Sequence, residues 1–226
     1  IVSLSGMIQL LLICAVVMGQ PVLAQKPLTK EESAKVIEAA IRRAAKKPTG
    51  ELTKADLEKV TKLVLFANRL TDLKGLEKLT QLTFLDLRRN QLTDVKGLEK
   101  LTQLKTLSLS RNPLTDLKGL EKLTQLTWLQ LNENKLTSVK GLEKLTQLTS
   151  LSLKDNQLTN VKGLENLTQL TNLNLQENKL TSVKSLEKLT QLPTLELRRN
   201  RDLTKAQIAE LQKALPKCRI YSNPTK

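Results

Sequence analysis

The 226-residue chain has no histidine, two cysteines, one Trp, one Tyr and two Phe, and its 37 Lys and Arg outnumber 22 Asp and Glu for a formal net charge of +15. The lack of histidine excludes His-based triads and His-ligated metal centres. No Gly-rich phosphate loop or nucleophile elbow is present either, so no enzymatic chemistry and no cofactor is expected.

Residues 1–25 carry no charge and include IQLLLICAVVMG, followed by GQPVLAQ, in which Val22, Leu23 and Ala24 resemble a signal-peptidase site. The apolar run is short for a membrane span and is interrupted by Gln20 and Pro21. A signal peptide is therefore expected over 1–25, with export to the periplasm or the extracellular space and no stable membrane span after cleavage. Residues 26–56 read as an N-terminal helical cap. LTKEESAKVIEAAIRRAAKK has a capping box at Thr29 and Glu32 and an apolar stripe of Val36, Ile37, Ala40, Ile41 and Ala44. Pro48 and Gly50 stop it, and a second cap follows at Thr53 and Asp56.

Residues 57–201 repeat with a period of 22, in about seven turns. In LTDVKGLEKLTQLKTLSLSRNP the apolar residues are Leu92, Val95, Leu98, Leu101, Leu104, Leu107 and Leu109. A step of three residues turns about 300° on an α-helix, so these side chains would circle the cylinder instead of lining one face. A solenoid turn explains them. Every third residue points at the axis, and the short gap from Leu107 to Leu109 marks one extended strand. Strands are expected near Leu63, Leu85, Leu107, Leu129, Leu151, Leu173 and Leu195.

Asn112 and its equivalents Asn68, Asn90, Asn134, Asn156, Asn178 and Asn200 fall on the same inward ring. A polar side chain repeated inside a core must be hydrogen bonded, which a stacked ladder of amides on backbone groups achieves. The next column, Asp72, Asp94, Asp116, Ser138, Asn160 and Ser182, is made of helix-capping types. A short helical or 3₁₀ segment is therefore expected on the back of each turn, beginning near KGLEKL. Pro193 stands at the strand entry of the last turn, which suits an edge position. Residues 202–226 read as a C-terminal helix-strand cap, with a capping box at Thr204 and Gln207, a stripe of Ile208, Leu211 and Leu215, and Cys218 as a small buried residue.

The pattern LxxLxLxxNxL, read at Leu104, Leu107, Leu109, Asn112 and Leu114, resembles the leucine-rich repeat, and the 22-residue spacing with NQLTDVKGLEKLTQL is similar to the bacterial class found in internalins. The resemblance covers roughly two thirds of the chain. It implies an α/β fold: a right-handed solenoid with a concave parallel β-sheet, short helical or 3₁₀ segments on the back and a concave face that binds another protein. The terminal segments depart from the internalin pattern, so an adhesion role is not carried over with the repeats.

The back segment KGLEKLTQL hardly changes between turns, whereas the outward strand positions vary. Three of the four aromatic residues, Phe66, Phe84 and Trp128, fall in these variable columns. Exposed Trp, Phe and Arg are common hot-spot residues, and Arg88 should reach Phe66 for a cation–π contact. The candidate partner-binding residues are Phe66, Phe84, Arg88, Arg89, Arg111, Trp128, Gln130 and Lys154. Glu133, Asp155 and Glu177 share one column with Arg89, Arg111 and Arg199, which points to charge complementarity to a partner, with a weak cation site as the alternative.

On the back, lysines at 74, 96, 118, 140, 162 and 184 run beside glutamates at 77, 99, 121, 143, 165 and 187, as a mutually paired, solvated surface would. The expected function is a non-enzymatic scaffold for protein–protein interaction. The alternatives are a basic polyanion binder, taking an acidic polysaccharide or lipopolysaccharide, and a self-associating structural solenoid. Nucleic acid is disfavoured by the expected export.

Overall fold

The computed structural model describes residues 26–223. The expected signal peptide over 1–25 lies outside the described residues. The chain folds as an open solenoid with one parallel sheet of eight strands in sequential order: β1 (Lys62–Val64), β2 (Phe84–Asp86), β3 (Thr106–Ser108), β4 (Trp128–Gln130), β5 (Ser150–Ser152), β6 (Asn172–Asn174), β7 (Thr194–Glu196) and β8 (Arg219–Tyr221). Neighbours pair in the register that the period dictates, with Leu63, Leu85, Leu107, Leu129, Leu151 and Leu173 stacked in one row. The leucines of every turn are almost wholly buried, and each contributes on the order of 2 kcal/mol.

Both ends are closed. Helix α1 (Lys30–Ala44) packs Ile37, Ala40 and Ile41 onto the first turn, α2 (Lys54–Glu58) leads into β1, and α3 (Lys205–Ala214) buries Leu211 at the far end. All three helices begin with the expected capping boxes, at Thr29 and Glu32, Thr53 and Asp56, and Thr204 and Gln207. Ala44, expected in the α1 stripe, is exposed, and the buried Ser33 extends the stripe at its other end. No described helix is long and apolar enough to cross a membrane.

The Asn ladder lies inside. Asn134 donates from Nδ2 to the carbonyls of Leu131 in its own turn and Leu109 in the preceding one, while its Oδ1 accepts from the Leu114 N–H. Asn90, Asn112, Asn156, Asn178 and Asn200 repeat this pattern. The side chain of Asn68, in the first turn, bonds only the Phe66 carbonyl, and its N–H donates to Asn90 Oδ1.

Among the described residues four 3₁₀ segments lie on the back, at Leu76–Lys78, Leu120–Lys122, Leu164–Asn166 and Lys184–Leu186, and not one in each turn as expected, since the turns after Gly97 and Gly141 have none. The expected caps do not start them. Asp72, Asp94 and Asp116 accept from the N–H two residues on, at Lys74, Lys96 and Lys118, and so close a turn of their own, with a 3₁₀ segment following after Asp72 and Asp116 but not after Asp94. At the start of the first three stands a left-handed glycine, Gly75, Gly119 or Gly163, with φ between 105° and 109°. Ser185 replaces glycine in the last of these turns, and there the 3₁₀ segment begins at Lys184, after Val183 at φ −123°.

The strand after Pro193 is not an edge. β7 lies between β6 and β8, and the Pro193 carbonyl accepts from the Arg219 N–H at 2.9 Å. The missing donor shows on its other side, where β6 and β7 share only two register pairs while every other strand pair shares three.

Candidate functional site

The outward columns lie on the sheet, but they are not uniformly open to solvent. Asp86 is 4% exposed, Ser108 3% and Ser110 7%. Longer neighbours cover them. Arg88 folds back onto Asp86, donating from Nε at 2.9 Å and from an amino group at 2.6 Å. Burial works to raise the Asp86 carboxyl, and these bonds more than offset it, holding the group below the usual carboxylate range.

Phe66 is 42% exposed, with the Arg88 guanidinium 5.4 Å and the Arg89 guanidinium 5.7 Å from its ring centroid. Beside this cluster is a shallow hollow of about 370 Å³ lined by Phe66, Arg88, Arg89, Ser110, Arg111, Gln130, Asn132 and Glu133. Its floor is the small Ser110, set between the larger Arg88 and Asn132 in one column. That dip in side-chain size is readable from the sequence, but Ser110 and Asn132 are not among the expected residues, and Glu133 is expected only for its charge.

The candidate residues therefore divide into two groups. Phe66, Arg88, Arg89, Arg111 and Gln130 meet at the hollow, by the strand exits. Phe84 and Trp128 are half-buried at the strand entries of β2 and β4, on either side of Thr106 in β3. They are two strands apart, or on the order of 10 Å. Lys154 belongs to neither group, because its Nζ lies 3.3 Å from Glu177 Oε1.

The acidic members of the column are mostly engaged within the chain instead of being presented to a partner. Arg111 Nε bonds Glu133 at 2.8 Å, and Glu177 also meets Arg199 at 3.1 Å. Burial pushes the Glu177 carboxyl up, and Lys154 and Arg199 bring it below the usual range. A cation site there would have to displace these partners, and no group of three or more His, Cys, Asp or Glu among the described residues is arranged to hold a metal ion.

One feature of this column could not be read from residue type. Ala67, Arg89, Arg111, Glu133, Asp155, Glu177 and Arg199 are all left-handed, with φ between 54° and 62°. None is glycine, and each such residue costs roughly 1 to 2 kcal/mol. Backbone bonds to the next turn hold the conformation, such as Arg89 N–H to the Ser110 carbonyl at 3.0 Å and Glu133 N–H to Lys154 at 2.9 Å.

On the back, the expected Lys–Glu pairing is replaced by another arrangement. Glu77, Glu99, Glu121, Glu143 and Glu165 accept from the N–H of the glycine two residues earlier, at 2.6 to 2.8 Å. A charge-assisted bond to an otherwise orphaned turn amide outcompetes an exposed lysine. For Glu121 and Glu165, their own amides and those of Gly119 and Gly163 hold the carboxyl below its usual range. Cys218 is buried, which pushes its thiol up.

A family model described as Leucine Rich repeats (2 copies) matches residues 58–100, 80–122 and 124–166. Among solved structures, the chain is similar to an internalin C2 from Listeria monocytogenes at 29% sequence identity and a TM-score of 0.77, over 84% of this chain and 85% of that one. It is similar to an internalin, inlF, from the same species at 28% identity and a TM-score of 0.77. That match spans 90% of this chain and 62% of the other, less than two thirds of its length. A search of curated proteins gave no match.

Proposed function

The chain is an internalin-like leucine-rich repeat protein, and on that premise we propose that it is an exported, non-enzymatic scaffold that receives another protein on the first four strands of its concave sheet. The observation that carries this reading is the division of the surface. The back repeats KGLEKLTQL almost unchanged, while the strands and their exits differ from turn to turn and hold Phe84 and Trp128 on the strands and Phe66 at an exit. Phe84 and Trp128 supply apolar area, and the hollow at Phe66, Arg89 and Arg111 supplies orientation.

The test is a pull-down from envelope and extracellular extracts with the chain and with a Phe84→Ala/Trp128→Ala double variant, at low and moderate salt. A band that the parent retains at moderate salt and the variant loses supports recognition on the concave face. Equal capture of acidic material by both forms at low salt, released at moderate salt, overturns it.

A second reading, capture of an acidic polysaccharide or lipopolysaccharide, is favoured by the back. Its glutamates are turned onto glycine amides, and lysines 74, 96, 118, 140 and 162 stay exposed. Affinity would then fall steeply with salt and with each lysine removed.

A further inference from the structure

The left-handed column is a ruler with charges on it. Its backbone N–H groups donate from each turn to the next, at Arg89, Arg111, Glu133 and Asp155, so its residues keep the strand spacing of about 4.8 Å. Six of its members are charged, and four of these are neutralised within the chain: Arg111 by Glu133, and Glu177 by Arg199 together with Lys154. Arg89 and Asp155 remain. Both are exposed, and among the described residues neither has an opposite charge within ion-pair distance. Arg89 instead lies over the Phe66 ring, which orients its guanidinium at the mouth of the hollow.

Arg89 and Asp155 are three strands apart, or about 14 Å at the sheet spacing. An extended chain advances about 3.4 Å per residue, so about four residues cover that distance, and residues i and i+4 of such a chain point the same way. Resting on the concave-face reading above, we infer that the column selects an extended segment of a partner protein with an acidic residue and a basic residue four positions apart, the acid at Arg89 and the base at Asp155. The neutral Arg111–Glu133 pair lies between and asks for no charge at the middle position. A uniformly anionic polymer is disfavoured, since it would place a negative group against Asp155.

The probe is a displayed library of random twelve-residue peptides selected on the full chain. The expected outcome is enrichment of sequences with an acid and a base four apart. A synthetic peptide of that kind should bind Arg89→Glu roughly tenfold more weakly, recover on that variant when its acid is changed to Lys, and lose binding to the parent when the base is moved to i+3. Enrichment without that spacing, no enrichment, or equal binding by the parent and Arg89→Glu overturns the inference. Peptides indifferent to Arg89→Glu but lost on Phe84→Ala/Trp128→Ala would reject the charge register and leave the concave-face reading standing. Indifference to both would reject both.

Discussion

The side-chain amide of Asn112 donates to the carbonyl of Leu87 at 3.0 Å, a bond that reaches back 25 residues and one turn of the solenoid. The same amide donates to Leu109, and its Oδ1 accepts from the Leu92 N–H. Asn112→Ala leaves the buried Leu92 N–H without a partner and takes one of two amide bonds from each of the Leu87 and Leu109 carbonyls, which keep Asn90 and Asn134, and a loss of roughly 1 to 3 kcal/mol is expected. Asn68, whose side chain bonds only within its own turn, should cost less than about 1 kcal/mol on the same change. Urea unfolding followed by Trp128 fluorescence compares the two, and equal losses would contradict the inter-turn role of the ladder.

Backbone conformation predicts opposite signs for two small substitutions. Ala67 is exposed and left-handed at φ 56°, so Ala67→Gly is expected to stabilise the chain by roughly 0.5 to 1 kcal/mol, against the usual penalty for glycine. Gly141 has φ 102°, and a Cβ there would stand 2.8 Å from the Leu117 carbonyl oxygen, so Gly141→Ala should lose about 2 kcal/mol or more. Thermal or urea midpoints moving the same way for both changes would sink the argument.

Acid stability follows from the depressed carboxyls. Lys47 and Thr53 hold Asp56 far below its usual range; Asp86 is held down by Arg88 against the opposing effect of burial, and Glu121 and Glu165 by backbone amides. A carboxyl lowered by folding contributes stability that is complete above its unfolded pKa of about 4 and is lost as pH falls through the folded value. The urea midpoint should therefore stay level from pH 7 to 5 and decline from pH 4 to 2, and Asp56→Asn should shrink that decline. A midpoint that held constant or rose on acidification would rule this out.

Sequence alone determined the solenoid, the stacked strands, the inward asparagines and all three capping boxes, because each depends on a repeat period or on residues three or four apart along the chain. It also placed Arg88 near Phe66, one strand away in the same column, and there the guanidinium stands 5.4 Å from the ring. Only the tertiary structure decided which charges cancel. Arg111 meets Glu133 across one turn, while Arg89, in the same column and of the same type, meets a ring instead. Likewise the back glutamates turn to glycine amides and not to the adjacent lysines, Pro193 has a strand on each side, and Ser110 becomes the floor of a hollow. A column assigns neighbours, but an ion pair or a hollow is settled over a few ångströms by side-chain reach and by competition among partners from adjoining turns, and that competition exists only once the turns are stacked.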